Sequence, residues 1–173
     1  MPDAEPISPS LLEGVRNGKE ESWRDLVNLL SPQVFRIIRN QIHQASDHED
    51  VAQETFTKLF LKFEQFAGRQ DFRHWVSRIT INTCYDWLRK KKARPVDSFS
   101  DLGEQHAEII ERTLAGDSDQ QEFGRELMVE LLHKLIATLK PREQIVIRLL
   151  DLEENSVQDV CDLTGWGASK VKV

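Results

Sequence analysis

The sequence has little of what secreted, membrane-spanning or redox-active proteins depend on. Among 173 residues there are two cysteines, Cys84 and Cys161, without the close spacing of a zinc site or a disulfide framework. No apolar run approaches the roughly 18 residues that a membrane-spanning helix needs. The N-terminus carries Asp3 and Glu5 where a secretory signal would have an apolar segment. A reduced, cytoplasmic protein is therefore expected.

The motifs of common enzyme classes are also missing. The sequence contains no glycine-rich phosphate loop, no nucleophile elbow and no cysteine–histidine pairing. Its histidines lack the spacing that places two metal ligands on one helical face. His48, flanked by Asp47, Glu49 and Asp50, is more typical of a helix N-terminus, where carboxylates complement the helix dipole. No catalytic residue, cofactor or metal is predicted, and both cysteines are expected in the core.

Cationic and acidic residues are segregated along the chain. The net charge of −6 argues against a protein that simply coats nucleic acid. From Arg69 to Pro95, however, eight cationic side chains face two carboxylates, and from Val96 to Glu126 nine carboxylates face two arginines. This reversal indicates a basic module followed by an acidic linker, although two oppositely charged solvated faces explain it equally well.

Apolar side chains recur at helical spacing nearly everywhere, so the chain is predicted to be all-α. The stripe from Trp23 to Ile42 predicts one long helix, which Pro32 should kink or divide. Ser46 and Glu49 have the spacing of a capping box at the start of the next helix. The first unit is therefore an antiparallel helical bundle.

The bundle is predicted to contain one more helix, and a second helical unit follows the acidic segment. Gly68 breaks the pattern, and Asp71 can cap the basic helix that follows. In the second unit Pro141 suits the first turn of a helix, and Ser156 predicts an N-cap. Gly165 supplies the short turn of a helix-turn-helix motif. The expected organisation is a tail with a short helix over 1–18, a helical bundle over 19–95, a flexible acidic linker over 96–118 with one weak helix at 104–114, and a helix-turn-helix unit over 119–173.

Two blocks of the sequence resemble the sigma-70 family of RNA polymerase initiation factors, and above all its short extracytoplasmic-function (ECF) class. Asp47–Phe56 and Phe72–Arg89 are similar to the family's region 2, and Leu139–Val146 with Ser156–Trp166 to its region 4. Regions 1.1 and 3 have no counterpart, as in the ECF class. The resemblance implies a non-enzymatic sigma factor that binds core RNA polymerase and directs promoter recognition, melting of the −10 element and transcription initiation.

The resemblance also implies roles for individual residues. A core-polymerase surface, expected to be exposed, to lack internal partners and to dock on the clamp coiled coil of the β′ subunit, comprises Asp47, Asp50, Gln53, Glu54 and Lys58. A −10 surface comprises Gly68, Arg69, Gln70, Asp71, Arg73, Arg78, Asn82, Arg89 and Lys90. A −35 surface, on the helix that reads the major groove, comprises Ala168, Ser169, Lys170 and Lys172. The implied partners are core RNA polymerase through the β′ clamp and the β flap, promoter DNA, and an anti-sigma factor.

Two other functions remain open on the sequence. A stand-alone helix-turn-helix regulator would need no polymerase, and the core-polymerase surface argues against it. A helical-bundle metalloenzyme has weaker support because the ligand spacing is absent. From Lys140 onward five cationic residues face six acidic ones, a poor balance for a DNA-binding unit standing alone. Most family members continue past this point with a basic run, so the chain is expected to end within its recognition helix.

Overall fold

The computed structural model describes residues 7–68, 70–92 and 121–172, and these contain helices and no strand. The predicted all-α class is confirmed. Within the described ranges every helix is too short or too polar to cross a lipid bilayer. The predicted linker over 96–118 lies outside the described residues. The helices are α1 (Pro9–Arg16), α2 (Glu20–Gln41), α3 (His48–Lys62), α4 (Phe72–Lys92), α5 (Gln121–Thr138), α6 (Pro141–Ile147), α7 (Val157–Thr164) and α8 (Ala168–Val171).

Helix α2 continues through Pro32, so of the two predicted alternatives, a kink or a division of the helix, the division is wrong. Its buried side chains include Leu26, Leu30 and Val34, which repeat at one helical turn along the inner face. Pro32 lies on the exposed face. The carbonyl that loses its hydrogen bond to the proline therefore faces water, which can satisfy it.

The capping box predicted at Ser46 is absent. A 3₁₀ turn over Ala45–Asp47 precedes α3, and the Ser46 hydroxyl reaches only the Asp47 Oδ1 atom, at 3.5 Å. The other oxygen of Asp47 accepts hydrogen bonds from the Lys91 ammonium at 2.6 Å and the Trp87 indole at 3.3 Å. The start of α3 is thus fastened to the end of α4 rather than capped by its own sequence.

Helix α4 begins as predicted. Gly68 has a positive φ of 69°, a conformation that glycine adopts without strain, and the Asp71 Oδ1 atom accepts a hydrogen bond from the His74 amide at 3.0 Å. Phe66 and Phe72 pack edge to face beneath this loop, with ring centroids 4.9 Å apart. The loop is therefore anchored by buried rings while its polar residues face solvent.

The second unit also begins its helices where the sequence predicts. Pro141 opens α6, whose last turn continues as a π-helical segment over Arg148–Leu152. The Ser156 hydroxyl accepts a hydrogen bond from the Asp159 amide, and the Asp159 carboxylate accepts one from the Ser156 amide at 2.9 Å. Gly165 ends α7 in the left-handed conformation, with φ 73°. The helix-turn-helix motif is thus formed by α7, the glycine turn and the single-turn α8.

One hydrophobic core runs through both units. Ile37 and Val76 of the first unit and Ile145, Leu149 and Val160 of the second belong to the same buried cluster. Helix α4 is the shared element, because it packs against α2 and α3 on one side and against α6 and α7 on the other. The helix-turn-helix motif is therefore held directly against the basic helix.

Candidate functional site

The core-polymerase surface divides into an open and a paired part. Asp50 and Gln53 are exposed on α3, and within the described residues their side chains make no hydrogen bond or ion pair. Asp47 is only half-exposed and is held by Lys91 and Trp87. The expectation that this surface lacks internal partners therefore holds for Asp50 and Gln53 and is wrong for Asp47.

Glu54 and Lys58 also have internal partners, contrary to expectation. Glu54 forms ion pairs with Lys58 at 3.0 Å and with Lys90 of α4 at 3.1 Å, and Lys58 pairs with Asp86 of α4 at 3.0 Å. Burial alone would raise the pKa of Glu54, but its hydrogen bonds to the two lysines outweigh burial and lower it. These pairs connect α3 to α4, so both residues contribute to the fold.

The loop part of the −10 surface is open. Gly68, Gln70 and Asp71 are exposed, and Arg69 lies outside the described residues. Arg73, the second residue of α4, donates to the Gln33 Oε1 atom of α2 at 3.2 Å, and its own carbonyl accepts from the Gln33 Nε2 atom at 2.8 Å. The polar loop thus lies over the buried rings of Phe66 and Phe72, next to Arg73, which is hydrogen-bonded to α2.

The C-terminal part of α4 presents cationic side chains beside an aromatic ring. Arg89 is exposed, and its guanidinium carbon lies 5.7 Å from the centroid of the Tyr85 ring. This is the distance of a cation–π contact. Lys90 is also exposed, but its ammonium is paired with Glu54. Arg89 is therefore better placed than Lys90 to hold a phosphate backbone.

The middle of the −10 surface contacts the helix-turn-helix motif, although Arg78 remains exposed and Asn82 is only half-buried. The Asn82 Nδ2 atom donates to the Thr164 carbonyl at 3.1 Å, and Tyr85 packs edge to face on Trp166 with ring centroids 5.1 Å apart. A Cβ atom on Gly165 would overlap the Arg78 guanidinium, which shows how closely the turn approaches α4. Asn82 is thus hydrogen-bonded within the protein, and Arg78 lies against the turn while it remains exposed. Sequence reasoning did not foresee either contact.

The −35 surface is exposed as a group. Ala168, Ser169 and Lys170 lie on α8 with Lys172 just beyond it, and all four are exposed. Val171, between the two lysines, is 1% exposed and anchors the short helix in the core. The structure thus brings these four residues together on the outer side of the motif, away from the turn that contacts α4.

Sequence reasoning also missed a polar contact between the units. The Gln41 Nε2 atom, at the end of α2, donates to the Glu153 Oε1 atom at 2.8 Å. Burial raises the pKa of Glu153, and hydrogen bonds to Gln41 and Asn40 only partly offset this effect. A glutamine on the buried stripe of a helix carries no periodicity signal, so only the structure reveals its partner.

The described residues offer little for catalytic chemistry. No three histidine, cysteine or acidic side chains in the described ranges lie close enough to hold a metal ion. Cys84 is fully buried, and burial raises the pKa of its thiol to about 12. It therefore packs as a small apolar side chain rather than acting as a nucleophile.

Comparison with known proteins gives consistent matches. Residues 26–94, which contain α3, α4 and most of α2, match the family model described as Sigma-70 region 2. The chain is 27% identical over 152 residues to RNA polymerase sigma factor YlaC of Bacillus subtilis, covering 86% of this chain and 84% of the relative. It is 29% identical to the RNA polymerase sigma-H factor of Pseudomonas aeruginosa, covering 87% and 78%. It is 25% identical to the ECF RNA polymerase sigma-E factor of Haemophilus influenzae, covering 89% and 82%.

Proposed function

The chain belongs to the ECF class of the sigma-70 family, and from that premise we propose how its surfaces divide the work of initiating transcription. As a sigma factor it directs RNA polymerase to promoters. The observation that carries this function is that the curated relatives match both helical units in order, over 86% of the chain for the B. subtilis factor. The chain supplies binding and positioning in the cytoplasm, while the polymerase performs the chemistry.

The open part of the core-polymerase surface is the proposed docking site for the β′ clamp coiled coil. Asp50 and Gln53 support this assignment because they are exposed polar side chains that the fold does not use. Glu54, Lys58 and Asp47 have a second role, since their bonds to α4 hold α3 in position. Docking therefore depends on Asp50 and Gln53 directly and on the paired residues through the orientation of α3.

The −10 surface is proposed to capture an unstacked base of the −10 element. Exposed Gln70 and Asp71 would contact the base at the loop, and Arg89 would hold the strand backbone. Capture of an already unstacked base offsets the few kcal/mol that unstacking costs and shifts the duplex toward the melted form. Arg78 is exposed and would join Arg89 in holding the strand, whereas Asn82 would take part after its hydrogen bond to Thr164 has opened.

The −35 surface is proposed to read the major groove, with the region 4 unit also touching the β flap. Ala168 and Ser169 would face bases, and Lys170 and Lys172 the phosphates. We also propose a regulatory anti-sigma partner, because the family resemblance implies one.

Reconstitution with core RNA polymerase tests the proposed function. The full chain is mixed with purified core enzyme, association is followed by gel filtration, and the complex is used to transcribe fragmented host DNA. Transcripts should share two upstream sequence elements. A chain that binds DNA specifically yet never co-elutes with core enzyme would instead be a stand-alone regulator.

Variants at the docking site make the test specific. Asp50→Lys should weaken association by about tenfold, equivalent to about 1.4 kcal/mol, because it places a charge of the wrong sign in the interface. Asp25→Lys is the matched control, since Asp25 is also an exposed aspartate on a helix but lies on α2, outside the surface. Equal weakening by both variants would show that net charge, and not this surface, governs association.

A further inference from the structure

Two histidines and a buried arginine meet where the second unit packs on the C-terminal end of α2. The rings of His43 and His133 stack, with centroids 4.3 Å apart and planes 17° apart. The Arg148 Nη1 atom lies 3.2 Å from the His133 Nδ1 atom and 3.4 Å from the Asn40 carbonyl oxygen. His43 and Asn40 belong to the first unit, and His133 and Arg148 to the second. The cluster therefore spans the boundary between the units.

The arginine fixes the protonation state of His133. A guanidinium can only donate, so the His133 Nδ1 atom must be an unprotonated acceptor, with the ring proton on Nε2. Arg148 is 3% exposed, and in the described part of the chain it has no carboxylate partner and its Nε atom has no hydrogen-bond partner. A proton on Nδ1 would remove the hydrogen bond and place a second positive charge beside this unpaired one.

The groups around His133 also disfavour its protonated form. Burial lowers its pKa from the ordinary 6.5, and the charges of His43 and Arg148 lower it further. On its own helix the nearest charges are Glu130 and Lys134, which are paired with each other at 3.1 Å. The packed form therefore favours the neutral imidazole.

Glu153 is a further titratable group at this boundary, and its proton uptake acts in the opposite direction to that of His133. Burial raises its pKa, so proton uptake by Glu153 favours the packed form as the pH falls. Its neighbours from α2 are Gln41, Asn40 and Arg36. A Glu153→Gln background removes this opposing contribution and keeps an oxygen to accept the hydrogen bond from Gln41.

We propose that His43, His133 and Arg148 form a proton-sensitive latch that holds the helix-turn-helix motif against α4. With His133 neutral, the latch is closed, Asn82 is hydrogen-bonded to the Thr164 carbonyl and the turn at Gly165 lies against the exposed Arg78 guanidinium. With His133 protonated, the latch opens and releases the middle of the −10 surface from the turn. The inference rests on the proposed function only for what α4 binds, because opening is a property of the free chain.

The direction and size of the effect follow from proton linkage. The open form binds more protons than the closed form between the lowered pKa of His133 and its ordinary value of 6.5. The closed form is therefore fully favoured above about pH 6.5 and loses stability as the pH falls below it. One proton is linked to opening, so the opening equilibrium constant rises by at most about tenfold per pH unit.

Small-angle scattering of the free chain across pH 8 to 5.5 tests the latch without polymerase or DNA. In the Glu153→Gln background the radius of gyration should rise as the pH falls below about 6.5. His133→Gln, which can still accept from Arg148 but cannot titrate, should keep the chain closed throughout. His74→Gln is the matched control and should behave like its parent, because His74 lies on α4 away from the boundary.

A variant that carries a positive charge at position 133 should have the opposite effect to His133→Gln. His133→Lys should be expanded even at pH 8, with the helical content of the parent by circular dichroism. If that variant does not fold, the comparison with His133→Gln still decides. Identical radii for the parent and His133→Gln at every pH would overturn the latch, whereas the reconstitution with core polymerase would be unaffected.

Discussion

Asp50 and Glu54 lie one turn apart on α3, yet the structure gives them different tasks. Asp50 is exposed and unpaired in the described region, whereas Glu54 bridges Lys58 and Lys90. The difference arises from α4, whose lysine reaches Glu54 but not Asp50. A sequence pattern that treats the two carboxylates alike therefore mixes a binding residue with a structural one.

Glu54→Gln tests the structural role through stability. We expect the free energy of unfolding near neutral pH to fall by no more than about 1 kcal/mol, because the ion pairs are partly solvated. The pKa of Glu54 is lowered in the folded state, so its stabilisation is present above the ordinary value of 4.5 and is lost as the pH falls through the folded value. Urea unfolding at neutral and acidic pH measures this. Asp50→Asn is the control, and an equal loss in both variants would contradict the assignment.

Arg89→Ala tests the contact with the strand backbone. The variant should weaken binding of the polymerase complex to different promoters by a similar factor, because a phosphate contact carries no base preference. It should also reduce the slope of log affinity against log salt by about 1. Filter binding across a salt series measures both quantities. A loss confined to one promoter sequence would instead make Arg89 a base-reading residue.

At the scale of residues, the sequence could not predict the ion pairs and hydrogen bonds between side chains of different helices. Helical periodicity indicates which face of a helix is buried, as it does for Leu26, Leu30 and Val34 in the predicted stripe of α2. It does not indicate which side chains of another helix lie next to the polar residues that border the buried face. For this reason Asp47, Glu54 and Lys58 were predicted as open and are paired.

Among the elements, the turn between α7 and α8 is the most constrained by its surroundings. Gly165 combines a left-handed backbone, with φ 73°, and contact with the Arg78 guanidinium. Gly167, two positions on, has φ −72° and no atom within 4 Å of a Cβ placed on it. The two glycines therefore form a natural pair for a substitution experiment.

Gly165→Ala should destabilise the chain by about 1 kcal/mol or more, since a left-handed backbone costs a residue with a Cβ roughly that amount. The added methyl group should also push the turn away from α4. Gly167→Ala should change stability by less than about 0.5 kcal/mol, as is usual for surface positions without special geometry. Thermal unfolding compares them, and equal losses would show that neither the backbone nor the contact matters.

Element boundaries were predictable where a local signal acted alone. Ser156 and Asp159 form the predicted cap, because the chain before α7 is extended and leaves both side chains free to turn back. Ser46 and Glu49 have the same spacing but form no cap, because a 3₁₀ turn precedes α3 and Asp47 is held by α4. Tertiary contacts decided between two equivalent motifs.

At the scale of the whole molecule, the two units share one core and one central helix. The sequence predicted each unit, its helices and its surfaces, but it contained no signal that the second unit would pack on α4. That contact depends on pairs far apart in the chain, such as Asn82 with Thr164 and Tyr85 with Trp166. Single-sequence periodicity carries no information about such pairs.

The acidic segment offers a test at this scale. Neutralising Asp97, Asp101, Glu104, Glu108 and Glu111 as their amides should strengthen non-specific DNA binding by the free chain, because it removes five negative charges that repel the phosphates. The effect should be largest at low salt, since exposed charges are screened beyond about 10 Å at 0.1 M. Fluorescence anisotropy with unrelated duplex DNA measures it. Equal affinities at every salt concentration would make the segment a simple tether.

The order in which α4 acquires its neighbours has a further consequence during protein synthesis. Helices α1 to α4 are synthesised before α6 and α7, and roughly 80 residues separate Asn82 from the turn at Gly165. At about 5–20 residues per second their synthesis takes about 4–16 s. For that interval Arg78 and Asn82 have no turn above them. We therefore expect each newly made chain to pass through a brief period in which its first unit is available to partners before the finished molecule closes on itself.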